Sequence, residues 1–146
     1  MRKNVSAPDG RKYVDLGLPS GRLWAAENEV PYLCFDAARV TYGDLLPPAD
    51  AWQELRDHCK WKWDERRKGY LVTAVNGDSI FLPAAGFRID GHIYGRGTVS
   101  AVGCYWSSTT DDEINARHLC FGVGYVHPFA KNYRYRGFSI RLCKQT

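Results

Sequence analysis

Few side chains in this sequence are of a type and spacing that could do bond-making chemistry. His118, Cys120 and His127 come nearest to a metal set, because residues two apart share one face of a strand. A structural zinc ion needs four ligands in a tetrahedron, with partners that hold the imidazoles. Three donors without a recognisable spacing fall short of that, so no metal and no cofactor is expected. The five cysteines, Cys34, Cys59, Cys104, Cys120 and Cys143, include no CxxC pair and are odd in number. Neither a zinc motif nor a full disulfide framework follows, although a single bridge has room to form. A nucleophilic Cys104 or Cys120 would need a neighbouring base and a thiolate-stabilising setting, and nothing in the spacing supplies them. Asp111, Asp112 and Glu113 could approach calcium, but adjacent acids on a loop are more often simply solvated. The chain is therefore not expected to be an enzyme.

The chemistry that remains is that of contact. Between Tyr125 and Arg136 the chain gathers Tyr125, His127, Phe129, Tyr133 and Tyr135 with Asn132, Arg134 and Arg136. That run is too polar for a core and too aromatic for an ordinary loop. Tyr and Arg together supply contact area and hydrogen bonds at modest entropy cost, as recognition surfaces do. Just before it, Leu119 and Phe121 alternate with His118, Cys120 and Gly122, which predicts a strand with one core face and one mixed face.

These residues need a framework. Lys12 to Leu18 reads as a first strand, Pro19-Ser20-Gly21 as a turn and Leu23 to Ala26 as a second strand. Pro31 to Val40 predicts a short helix with Phe35 and Ala38 on one side, weakly capped by Cys34. A clearer helix spans Pro48 to Cys59, with Trp52, Leu55 and Cys59 on one face and charges placed as the helix dipole favours. Tyr70–Thr73, the Asn76-Gly77 turn and Ser79–Leu82 predict a hairpin. Phe138, Ile140 and Leu142 alternate with Ser139, Arg141 and Cys143, which predicts a half-buried last strand. Trp24, Trp52, Phe81 and Trp106 are expected in the core, and the charged stretch Lys60 to Lys68 on a solvated face beside a buried Trp.

At 146 residues, 45% hydrophobic and 25% charged, the chain has the size and make-up of one compact α+β domain, its first eleven residues expected to be flexible. A net charge of +4, scattered rather than clustered, gives no reason to expect nucleic acid. No apolar stretch follows the basic start and no run reaches membrane-spanning length, so no leader is visible and no membrane insertion is expected.

Several phrases together resemble a known family. They are Tyr13 to Gly21 with Leu23-Trp24-Ala25, Leu46-Pro47 before Trp52-Gln53-Glu54-Leu55, the block from Asn76 through Ser79-Ile80-Phe81-Leu82-Pro83 to Gly86, Tyr105 to Thr109, and Gly137 to Arg141. In this order they resemble the Fibrobacter-type major paralogous domain. The resemblance implies a C-type-lectin-like fold, with two helices, short antiparallel sheets and paired terminal strands. It is related in architecture to formylglycine-generating enzymes and to the variable proteins of diversity-generating retroelements. In the latter, AAC codons are rewritten at their adenines, and a codon ending in C cannot become Lys, Glu, Gln, Met or Trp.

The resemblance implies a variable ligand-binding region within 105–141, with His118, Cys120, Gly122, Tyr125, His127, Phe129, Ala130, Asn132, Tyr133 and Arg136 as the diversified positions. None of them carries a forbidden residue; Lys131 falls outside the set. Leu119, Phe121, Gly124, Val126, Pro128 and Gly137 would be the fixed scaffold. Pro48 and Cys34 depart from the hydroxyl residues expected to cap the two helices. The carboxylate-and-amide motifs of calcium-dependent sugar-binding lectins are missing. The implied function is a ligand-binding receptor or adhesion module at a cell surface or on a virion, its partner a protein or glycan. An oxidase or other enzyme on the same fold, or an undiversified cell-surface structural domain, is the alternative.

Overall fold

A computed structural model of the chain describes residues 4–6, 10–29, 32–97 and 100–145. Its elements begin β1 (Asn4–Ser6), β2 (Lys12–Asp15), β3 (Leu23–Ala25), α1 (Phe35–Tyr42), α2 (Ala49–His58), β4 (Cys59–Asp64), β5 (Gly69–Ala74) and β6 (Ser79–Pro83). They continue with β7 (Phe87–Ile89), β8 (His92–Tyr94), β9 (Gly103–Thr110), β10 (Asn115–Gly122), β11 (Tyr125–Tyr133) and β12 (Cys143–Lys144). The plan is α+β, two helices among small antiparallel sheets ordered β1-β2-β3-β12, β11-β10-β9, β4-β5-β6 and β7-β8. The first and last strands share a sheet but do not pair as expected: β12 lies on β3, Cys143 opposite Trp24, and β1 on β2 at the other edge. Of the stretch expected to be flexible, 4–6 form a strand on β2 and Arg11 holds Glu29 at 3.0 Å; 1–3 and 7–9 lie outside the described residues.

Neither helix caps itself. Cys34 and Pro48 stand at the N-caps without a side-chain hydrogen bond. The open N–H of Phe35 instead donates to the carbonyl of Arg134 at 2.9 Å, and that of Ala49 to the Thr109 hydroxyl at 2.9 Å. Both helix starts are thus satisfied by the C-terminal third of the chain, which supplies the partner that orphan N-terminal amides require.

The core is built on tryptophan. Trp52 packs against Trp24, ring centroids 4.6 Å apart, and against Tyr105 at 5.6 Å. Trp106 lies 4.2 Å from Phe138 and 5.4 Å from Phe35, and its indole N–H donates to Leu33 O at 2.9 Å. Phe81 is the exception to the expected core: it is half-buried, with the Arg67 guanidinium 3.9 Å over its ring.

Two expectations are corrected. Lys60 to Asp64 is a strand, β4, and not merely a solvated face: the lysines point to water while Trp61 and Trp63 lie half-buried against Tyr70, at 5.5 and 5.2 Å. The Lys-Trp alternation there is the same period-two pattern that marks any half-buried strand. Second, the terminal run is buried on both faces, because Ser139, Arg141 and Cys143 are as enclosed as Phe138, Ile140 and Leu142. It meets its neighbours through single bridges, Phe138 to Leu33 and Ser139 to Tyr105, before β12 begins.

Arg141 is 1% exposed, and its guanidinium donates to Asn28 Oδ1 at 2.7 Å, Ala25 O at 3.1 Å and Phe81 O at 2.6 Å. Removing it would strand one buried acceptor, Ala25 O, and two part-buried ones, at about 1–3 kcal/mol each where water cannot replace the guanidinium. Arg141→Ala is therefore expected to lower unfolding free energy by at least about 3 kcal/mol in urea titration. A loss below about 1 kcal/mol would mean that water replaces the guanidinium there.

Candidate functional site

All the expected binding positions but Arg136, which follows β11, fall on β10 and β11, in a three-stranded sheet with β10 central and β11 at its edge. The turn between them is fixed from below. Tyr70 Oη donates to Gly122 O at 2.8 Å and accepts from Gly124 N at 3.1 Å, while Gly124 takes the positive φ of +86° that favours glycine.

Pairing decides what shares a face. Cys120 lies opposite His127 and Gly122 opposite Tyr125, but a bulge then shifts the register, so that His118 lies opposite Ala130 and Ala116 opposite Asn132. Directly opposed residues point the same way. Tyr125 and His127 therefore stand on the Cys120 side of the sheet, whereas Tyr133, opposite Asn115, stands on the other. The bulge divides the exposed aromatics into two patches. Near the turn, the rings of Tyr125 and His127 lie 5.2 Å apart. At the far end Tyr133 stacks on Tyr135 at 5.6 Å, and the Arg136 guanidinium sits 5.3 Å over Tyr133.

Tyr125, His127, Phe129 and Tyr133 are exposed, while Cys120, Ala130, Asn132 and Arg136 are half-buried. His118 and Gly122 do not fit a contact surface. His118 is 2% exposed because its ring packs 4.7 Å from Phe138 and 5.8 Å from Trp106, inside the core. Gly122 is roofed by Tyr125: a Cβ added there would come within 2.7 Å of the Tyr125 ring. The alternation of Leu119 and Phe121 with His118 and Cys120 is present, yet both faces of β10 meet protein.

Tyr135, 62% exposed, belongs to the far patch although it was not among the expected positions. Its signal in the sequence was its spacing, two residues from Tyr133. The acidic loop is occupied internally. Asp111 pairs with Arg117 at 2.6 Å, and Asp112 accepts the amides of Asn115 and Ile114, which hold its carboxyl below the usual range.

Cys104, on β9, lies directly opposite Cys120. Its thiol hydrogen-bonds the Cys120 sulfur, and with His118 and His127 nearby this pulls Cys120 down to about 5. The same bond together with burial pushes Cys104 well up. Burial likewise raises Cys59 to about 11 and Cys143 to about 12. Compared with family models, curated proteins and solved structures, the chain matches none.

In reduced, metal-free protein, iodoacetamide at about pH 6 is expected to alkylate Cys120 ahead of Cys59, Cys104 and Cys143, as peptide mapping would reveal. Equal labelling of all four would contradict the thiol pairing. Phe129→Ala and Tyr133→Ala are expected to change stability by no more than about 0.5 kcal/mol, and His118→Ala by several times that. Matching losses in thermal unfolding would place the exposed rings in the core instead.

Proposed function

We propose that this chain is a ligand-binding receptor or adhesion module on a C-type-lectin-like scaffold, the variable protein of a diversity-generating retroelement, with no bond-making activity of its own. The observation that carries the reading is the set of exposed aromatic residues on the β10–β11 hairpin and just past it: Tyr125 39% in the patch near the turn, Phe129 43% between, and Tyr133 44% with Tyr135 at 62% beside Arg136 in the far patch. Grouped exposed aromatics mark binding surfaces, and Tyr with Arg is the pairing that concentrates binding energy.

The framework beneath favours a pre-formed surface. Leu119, Phe121, Phe138 and Ile140 are fully buried, and Tyr70 pins the hairpin turn. A surface held this way loses little freedom on binding, which keeps the ordering cost low. The proposed scaffold is consistent with two helices, small antiparallel sheets and a last strand paired near the first third of the chain. Its partner would be a protein or glycan met outside the cell, on a bacterial surface or a virion. Among the described residues no helix is long and apolar enough to cross a membrane.

Immobilised panels of glycans and of surface proteins provide the binding test. The Tyr125→Ala, Tyr133→Ala double variant is expected to lose more than about 2 kcal/mol of affinity for any ligand the parent captures, with an unchanged melting point. Undiminished capture would remove both aromatic patches from the binding surface. Sequencing the flanking DNA is expected to find a near-identical repeat carrying adenines at the codons of the variable positions; a locus without one would refute the diversification.

A further inference from the structure

Beneath the turn-proximal patch lies a donor cluster that ligand contact does not use. Cys104 on β9, Cys120 on β10 and His127 on β11 form one row across the sheet, each directly opposite the next. His118 precedes Cys120 by two residues, stays in register with β9 at Trp106, and so points to the same face. The two sulfurs and a ring nitrogen of His118 all lie within 4.8 Å of one another. Tetrahedral zinc, with bonds of about 2.3 Å to sulfur and 2.0 Å to nitrogen, needs donors about 3.5–3.8 Å apart. Closing these three on an ion thus shortens each donor–donor separation by at most about an ångström.

His118 supplies a separate observation. The ring is 2% exposed, and its Nδ1 is buried without a hydrogen-bond partner. Buried polar atoms are rarely left so, because each costs its full desolvation. A metal ion bound at that nitrogen would satisfy it. Charge favours the same answer: two thiols release their protons to solvent, and two thiolates with two neutral imidazoles then balance a divalent cation. Such a neutral cluster can be enclosed where an unpaired charge could not. Cys104 is buried, Cys120 half-buried and His127 exposed, so the row of donors runs from the core to the surface of the hairpin.

We propose that Cys104, His118 and Cys120, completed by His127, form a binding site for a thiophilic divalent cation, with zinc as its natural probe. Two sulfurs and two nitrogens in a tetrahedron are the donor set that selects such ions over calcium or magnesium. Bound there, the ion would tie β9, β10 and β11 together directly beneath Tyr125. The site stands whether or not the exposed aromatics bind a ligand.

The full chain, reduced with a phosphine and stripped of metal, is titrated with zinc and, separately, with cobalt. One zinc per chain is expected to survive gel filtration and raise the melting point, and cobalt to give thiolate charge-transfer and tetrahedral visible bands. Cys104→Ser and Cys120→Ser should each abolish this binding, His127→Ala should weaken it more than about tenfold, and Cys34→Ser should leave it unchanged. No retained zinc would overturn the proposal, as would retention that survives the two cysteine variants, or an unaltered affinity in His127→Ala. If the cysteine variants fail to fold, the cobalt spectrum of the parent decides, and the lack of a thiolate band refutes the site. A reduced chain that binds no zinc but readily closes a Cys104–Cys120 disulfide with hydrogen peroxide would likewise refute it.

Discussion

The buried guanidinium of Arg141 is the constraint on which the rest of the structure depends. Among the described residues it is the most deeply enclosed charged group, and burial pushes its proton affinity down from the ordinary value for arginine. Its donors go to Ala25 on β3, to Phe81 on β6 and to Asn28, whose amide in turn donates to Tyr105 Oη at 3.0 Å. Tyr105 then donates to Pro83 O at 2.8 Å. Only when β3, β6 and β9 are all in place is the cation satisfied, because a planar fork offers several donors in fixed directions. A buried charge therefore acts as a check on assembly: any arrangement that misplaces one acceptor leaves it unpaired at considerable cost.

A second dependence runs from the C-terminal third to the helices. The carbonyl of Arg134 caps α1 and the hydroxyl of Thr109 caps α2, while Ser108 N donates to Pro47 O at 2.8 Å just before α2. The helices thus take their positions from the strands that flank the candidate surface. This matters for a surface that must tolerate changed side chains. The contacts that place β9 and the segment after β11 are made by backbone, by Thr109, by the Arg134 guanidinium and by buried rings, not by the exposed aromatics themselves.

The exposed rings follow from geometry at the edge of a sheet. β11 is paired on one side only, and a bulge across from His118 and Cys120 switches which of its side chains share a face with β10. A strand that turns over in this way presents side chains in two directions. The result is a patch at the turn and another at the far end, where Tyr133, Tyr135 and Arg136 stack in series.

Much of this was legible in the sequence. The hairpin about Asn76-Gly77, the α2 face carrying Trp52 and Leu55, and the exposure of Tyr125, Phe129 and Tyr133 all follow from local spacing and composition, which act over a few residues. So did the strand at Leu119 and Phe121, since alternation is a property of the extended backbone. What spacing could not carry was which surface each face would meet. His118 looked like a surface residue and became core because Phe138 and Trp106, distant in the chain, close over it. The same folding set Cys104 against Cys120 and buried Arg141 on the side of its strand that alternation had assigned to water. Local pattern fixes period and propensity, but register and burial belong to pairs of segments far apart in sequence, and only packing decides those.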